Sequence, residues 1–515
     1  MSSQSQKGDE WGRSVRGGVL WSTTTFVASK SLNFLTLVVL ARILVPGEFG
    51  VVAAISAFVT FLELGATLGL RATMIYEQEQ GITPRVQTAF TLNLVLVVAF
   101  TAGGVLLAPF IASFFGVPEE VGLFRLGVLS LLIVGLGSVH DGLLLRGLEF
   151  NRRIVPEVAR GVASGVTSIV LAVLGFGAVS LVVGLLAGSA AWTTAQWMLT
   201  RFRPTFVLDR AIARSMLVYG LGASMLEVVA AISQRADIAV IGHFLGNRAL
   251  GIYTIGFRIP ELVVSNVAWN VSLVAFPALA RRRATDSESG LAAGSLDLLR
   301  FQALYALPVA SGLAVLAPSL VVVVFSDRWA EAGGVMSAIA VMVGISSTIF
   351  PLGDVFKATG RQSILIGLNI LLVPLLIVTI ILAAPQGVLT IAWIRAGVTG
   401  CFAALFLIAV HREIKVGLRP LLRALRPGLA AAGGVVLASG GVRVGWGAEG
   451  LGPLVVAAVS GAIGAVAALR VLDAPMFSLL REMITEPLLA RRQRRNDAAL
   501  VGQGSGQLGD EGDRG

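Results

Sequence analysis

From residue 17 to residue 471 the chain is a succession of apolar runs, divided by short breaks that carry arginine, glycine or proline. A hydrocarbon core about 30 Å thick takes roughly 20 apolar residues to cross as a helix, and within it every backbone polar group must be satisfied inside the segment. The runs therefore predict membrane-spanning helices at 17 to 41, 48 to 70, 86 to 112, 121 to 145, 155 to 175, 178 to 200, 215 to 242, 250 to 278, 297 to 325, 332 to 356, 362 to 383, 387 to 410, 427 to 441 and 451 to 471. The thirteenth is short and glycine-rich. Composition leaves no segment for a soluble domain: 55% of the 515 residues are hydrophobic, 14% are charged, and the mean hydropathy is +0.83. The first run is too long for the apolar part of a signal peptide and reads as a retained span.

The net charge of +10 raises the question of nucleic acid, but the basic residues flank helices. Counted over alternate connections, nineteen lie at one end of the spans, among them Arg152, Arg153, Arg281, Arg282, Arg283 and Arg423. Five lie at the other end: Arg42, Arg125, Arg248, Arg328 and Arg443. Cytoplasmic connections are the ones enriched in arginine and lysine, so both termini are expected in the cytoplasm and no nucleic-acid partner is expected. Trp329 is expected in an aromatic belt at the opposite face. After residue 473 a tail with RRQRR at 491 to 495 has little to bury and is expected to be disordered.

One corner is written twice. LARILVPGEFG, residues 40 to 50, aligns at an offset of 201 with IGHFLGNRALG, residues 241 to 251, pairing Arg42 with His243 and Gly50 with Gly251. Six predicted helices lie between the copies, and an even number means that both enter the membrane in the same direction. The repeat is parallel, which implies two similar lobes about an axis normal to the membrane. The glycines are expected to permit a tight turn, and the corner to be structural or an outer gate. Asp141 and Asp354 recur near the ends of the fourth and tenth helices, each followed by a basic residue and a glycine.

The phrase LVVLARILVPGEFGVVAAISAFVTF, with IGHFLGNRALGIYTIGFRIP, FPALARRR, DRWAEAG and KATGR, resembles the polysaccharide-biosynthesis flippases, which move lipid-linked oligosaccharides such as O-antigen units across bacterial membranes. The resemblance covers roughly residues 15 to 410. It implies the architecture of the multidrug and oligosaccharidyl-lipid exporters: an all-α polytopic membrane protein of about 14 helices, with two six-helix lobes in a V around a central cavity. The expected divisions are a cytoplasmic tail at 1–16, an N-lobe at 17–205, a C-lobe at 206–415, two extra helices at 416–472 and a cytoplasmic tail at 473–515. The implied location is the bacterial cytoplasmic membrane. The implied partners are a polyprenyl-diphosphate-linked oligosaccharide, membrane lipid, and the glycan polymerase and glycosyltransferases of the same pathway.

Eight ionisable residues fall inside predicted spans: Lys30, Glu63, Glu227, Arg235, Asp237, Arg258, Glu261 and Arg395. At about 2.5 kcal/mol or more each, exposing them all to lipid would cost about 20 kcal/mol, more than the whole stability of a typical domain. They must face protein or water. Helical spacing gathers Lys30, Asn33 and Thr36 on the first helix, Ser56, Thr60, Glu63 and Thr67 on the second, Glu227, Gln234 and Arg235 on the seventh, and Arg258, Glu261, Ser265, Trp269 and Ser272 on the eighth. These helices are the equivalent pairs of the two lobes, so their stripes are expected to line one cavity. The resemblance implies a basic cavity that holds the carrier's diphosphate; Lys30, Arg235, Arg258 and Arg395, with Asn33 and Gln234, are the residues expected to bind substrate in it, and Arg258 with Lys30 and Arg235 the diphosphate, since arginine's planar fork donates two hydrogen bonds to phosphate. Arg258 and Glu261, three apart, are also spaced for a salt bridge that only holds the helix.

With no Walker A sequence, Glu63, Glu227, Asp237 and Asp141 are the carboxylates expected to carry a coupling ion. No cofactor and no metal site is expected, since Cys401 is the single cysteine, no HExxH occurs, and His140, His243 and His411 lie far apart. Two other functions fit a chain of this kind. A small-molecule or multidrug exporter of the same architecture calls for acids and aromatics around a cationic substrate. A membrane glycan polymerase or glycosyltransferase calls for a sizeable outer loop, and every outer connection here is short.

Overall fold

The computed structural model describes residues 31–67, 82–146, 150–446, 450–474 and 476–478, and all regular structure among them is helical. The expected N-terminal tail, the C-terminal tail beyond residue 478, Lys30 and the first half of the first span lie outside the described residues. In chain order the helices are α1 (Ser31–Ile43), α2 (Pro46–Thr67), α3 (Ile82–Phe114), α4 (Val121–Arg146), α5 (Phe150–Val173) and α6 (Ala178–Leu199). The stretch Arg210–Pro260 is broken at Gly246, whose φ of 79° only glycine adopts easily. It therefore divides into α7 (210–245) and the beginning of α8, which runs from 247 to 283. Helix α9 (Ser289–Val324) continues from α8 without a helical break, and α10 (Ala330–Ile349) is prolonged by Phe350–Leu352 and Gly353–Ala358. The remaining helices are α11 (Gln362–Ala383), α12 (Val388–Ile414), α13 (Leu418–Trp446) and α14 (Leu451–Leu472).

Among the described residues, twelve helical stretches are long and apolar enough to cross a membrane, one of them being Ala231–Arg283, which Gly246 divides. With the shorter Ser31–Ile43, this is compatible with fourteen spans. The chain is a multi-pass membrane protein with two six-helix lobes, α1 to α6 and α7 to α12. Helices α13 and α14 pack on each other backbone to backbone at Gly434 and Gly464, and on α9 at Gly428. The thirteenth helix is longer than its apolar run of 427 to 441, because the segment with Arg419, Arg423 and Arg426 is its first two turns and not a loop.

The buried side chains show how the lobes meet. One core, near the connections that carry Arg42, Arg248 and Arg328, mixes both lobes: Leu44 just after α1, Phe49 and Ile55 of α2, Phe115 and Phe124, Ile241 and Leu250 at the α7–α8 corner, Val321 of α9, and Phe325 and Trp329 after it. Toward the arginine-rich end the core separates. One part holds Leu279, Leu299, Phe356 and Phe406 of the C-lobe, and the other holds Val86, Phe90 and Val139 of the N-lobe with Ala213 and Met216 at the start of α7. The lobes are thus joined at the corner end and parted toward the other, apart from α7, whose first turns rest on α3. Trp329 is not a belt residue: it is fully buried, donates its indole N–H to Ala41 O at 2.7 Å and meets Phe49 edge to face. It fastens α10 to α1 and α2 across the lobes.

Candidate functional site

The repeated corner is where the two lobes lock. The Arg42 guanidinium, at the end of α1, donates to Val323 O and Val324 O at 2.9 and 3.1 Å, covering the last carbonyls of α9 in the other lobe. Its counterpart His243, at the end of α7, bonds through Nδ1 to Phe114 O at 2.7 Å and stacks on Phe114, covering the last carbonyl of α3. A helix leaves its final carbonyls without intrahelical partners, and a cation or ring N–H supplies one. Each corner thus caps the third helix of the opposite lobe.

The glycines of the repeat have a different role from the turn expected of them. Neither Gly50 nor Gly251 has a positive φ. A Cβ on Gly50 would overlap the backbone of Asn247, and a Cβ on Gly251 would overlap the carbonyl of Pro46. They let the first turns of α2 and α8 cross at backbone contact, and the turn itself is made by Gly246.

Away from this closure lies a cavity of about 350 Å³ that both lobes line: Asn33, Phe34 and Leu37 from α1, and Arg258, Glu261, Leu262 and Asn266 from α8. Arg258 and Glu261 do pair, at 3.4 Å, but their side chains are 51% and 43% exposed, so the bridge faces open space and contributes little to stability. Asn33 and Arg258, expected together from two helices far apart in the chain, are brought to one wall. Arg235 is half-buried on α7. Gln234 is exposed on α7.

Other expected residues are turned elsewhere. Arg395 of α12 is buried, ion-paired with Asp237 of α7 and hydrogen-bonded to the Tyr253 hydroxyl at 3.3 Å. That hydroxyl donates to Asp237 at 2.5 Å, so α7, α8 and α12 are tied by one satisfied polar cluster. Glu63 is half-buried on α2 without an ion-pair partner among the described residues. Glu227 lies in α7, its side chain outside the described residues.

Helix α8 departs from its expected stripe for a definite reason. Glu261–Ser265 is a π-turn, placed just after Pro260, whose ring nitrogen cannot donate. One extra residue in a turn rotates everything beyond it by about 100°. Asn266 therefore enters the cavity wall in place of Ser265, and Ser272 points away into a buried hydrogen bond with Asp354. Tyr305 of α9 donates its hydroxyl to Val263 O within the π-turn. On α5, Glu157 accepts from the Trp192 indole at 3.1 Å, Arg160 lies over the Trp192 ring, and Gly161 stands against Asn33. Neither Glu157 nor Arg160 was marked by the apolar runs, because both sit where the run of α5 begins.

Asp141 and Asp354 are both buried and both paired within their own lobe. Asp141 accepts from Arg153 of α5 at 2.9 and 3.2 Å and from Gln196 of α6 at 3.1 Å; Asp354 accepts from Lys357 at 2.7 Å and from Ser272. They brace the arginine-rich end of each lobe. The substitution Asp354→Asn should lower stability by about 1 to 3 kcal/mol, seen as an earlier melting transition in detergent, with no change in which head group the protein selects. A change of selectivity at unaltered stability would put Asp354 in the binding site.

Two six-helix lobes with a polar cavity between them, closed at one end, define a transporter-like fold. A family model described as "Polysaccharide biosynthesis protein" matches residues 39–333, and the chain belongs to that family. It is 28% identical over 361 residues to the succinoglycan biosynthesis transport protein ExoT of Rhizobium meliloti, covering 68% of this chain and 71% of the relative. Against the lipopolysaccharide biosynthesis protein WzxC of Escherichia coli it is 22% identical over 355 residues, 68% and 72% of the two chains. Among solved structures, the lipid II flippase MurJ in an inward closed conformation superposes with a TM-score of 0.70 at 13% identity, covering 89% of this chain and 99% of the other. An inward-facing multidrug resistance transporter, described as a MATE family member of the MOP superfamily, gives 0.61 at 17% identity, covering 75% and 94%.

Proposed function

We propose that this protein is a flippase that moves a polyprenyl-diphosphate-linked oligosaccharide, the repeat unit of an O-antigen, capsule or exopolysaccharide, from the inner to the outer leaflet of the bacterial cytoplasmic membrane. The observation that carries the reading is the cavity between α1 and α8, where the half-exposed Arg258 faces Asn33 away from a closed corner. A polar head fits there while the lipid tail stays in the bilayer. The names of the relatives, which concern succinoglycan and lipopolysaccharide biosynthesis, point to the same substrate class. Lobes drawn at 17–205 and 206–415 would rock about the axis of the repeat, so that the Arg42 and His243 caps break when the cavity opens at the corner end.

The arginine-rich end is assigned to the cytoplasm, which makes the described state closed outward. A cysteine replacing Arg282 should react with an impermeant reagent from the cytoplasmic side only, and one replacing Glu331 from the outside only. Reversed labelling would overturn the orientation and the direction of transport together. Of the four carboxylates proposed for coupling, Asp141 and Asp237 are already neutralised by Arg153 and Arg395, which leaves Glu63 and Glu227 as carriers.

Mass spectrometry of lipids from a strain lacking the gene tests the substrate class. Intact diphosphate-linked repeat units should accumulate. A deletion strain with normal lipid-linked intermediates and a raised sensitivity to cationic drugs would favour the exporter.

A further inference from the structure

We propose that the groove between α13 and α14 at the arginine-rich end is a binding site for the headgroup of an anionic phospholipid. Arg419, Arg423 and Arg426 are spaced four and three residues apart over the first turns of α13, so the three guanidiniums share one face. They rim a cavity of about 610 Å³ whose floor is Leu422, Leu429 and Leu472, each at least half exposed. A cationic rim over an apolar wall matches a lipid, with phosphate on the arginines and acyl chain along the leucines.

The arginines are costly where they stand unless an anion joins them. Like charges at three- and four-residue spacing repel, and the start of a helix carries the positive end of its dipole. Arg426 donates to Leu472 O at 2.9 Å, which closes the far wall of the groove. Arg419 and Arg423 have no ion pair among the described residues. The acid beside Leu472, Asp473, is engaged by Arg300 at 3.5 Å and by the Met476 backbone N–H. The bias of arginine toward one face of the membrane accounts for the number of these charges; it does not require them to line a leucine-floored groove. Helices α13 and α14 pack on α9, so the groove opens sideways to the bilayer, where phospholipid far outnumbers any carrier lipid.

Native mass spectrometry of the full chain, titrated separately with phosphatidylglycerol and phosphatidylcholine, tests the site. The wild-type protein should retain phosphatidylglycerol in preference. The pair Arg419→Gln with Arg423→Gln should weaken it about thirtyfold, and Arg419→Lys with Arg423→Lys, which keeps both charges, should retain it. The pair Arg201→Gln with Arg210→Gln, which removes the same charge elsewhere, should bind as wild type. Unchanged binding after the glutamine pair, equal loss in the control pair, displacement by inorganic phosphate at equal concentration, or stronger retention of a polyprenyl phosphate would each overturn the proposal.

Discussion

Valine in place of Gly50 is expected to abolish transport without preventing insertion, while valine in place of Gly47 leaves transport intact. The two glycines sit three residues apart on α2, yet a Cβ at Gly47 meets nothing within 4 Å, whereas one at Gly50 would overlap Asn247 of the other lobe. Neither partner can yield, because the overlapping atoms are backbone. Overpacking a tight contact costs about 1 to 3 kcal/mol, and each 1.4 kcal/mol is tenfold, so the corner-closed population should fall roughly ten- to a hundredfold. The mirror substitution Gly251→Val should act alike through Pro46. In a background carrying Cys401→Ala, a cysteine at the fully buried Ala41 reports the state of the corner. It should resist a polar thiol reagent in the parent and react in the Gly50→Val protein. Continued protection of that cysteine, or wild-type transport by Gly50→Val, would remove the corner from the gate.

Much of this arrangement was legible in the sequence because hydrophobic spacing and an internal repeat are strong signals. The lobes follow from one corner written twice, and Asn33 and Arg258 were each marked by a polar stripe. What remained hidden depends on contacts that no spacing encodes. Asp237 and Arg395 lie on different helices of the C-lobe, and only packing shows that they neutralise each other. The π-turn at Glu261–Ser265 is a matter of hydrogen-bond register, so a uniform 100° step carried Ser265 and Ser272 onto the wrong face. For Gly50 and Gly251, glycine suggested a turn, and the cause is an approach between chain segments 200 residues apart. Trp329 looked interfacial because its position in the chain is at a span end, yet the other lobe covers it.

The double substitution Arg258→Leu with Glu261→Leu separates a binding arginine from a structural one. A bridge at 3.4 Å with both partners about half exposed adds little to stability, so the double variant should fold and insert as the parent does. If Arg258 engages the carrier's diphosphate, transport should still fall about ten- to a hundredfold, the worth of one charge-assisted hydrogen-bond pair. Arg258→Lys should keep partial transport as a point charge, and Arg258→Glu should keep none. Normal flux through a well-folded double variant would exclude Arg258 and move the anion site toward Arg235.

Purified protein in sealed vesicles, supplied with a polyprenyl-diphosphate oligosaccharide in one leaflet and probed by a glycosidase confined to the other side, measures translocation itself. The lipid-linked sugar should become cleavable at a rate that depends on the protein, that Gly50→Val and the Arg258→Leu, Glu261→Leu pair suppress, and that Gly47→Val leaves unchanged. Sugar that stays protected from the glycosidase in the presence of correctly folded wild-type protein would contradict the proposed function.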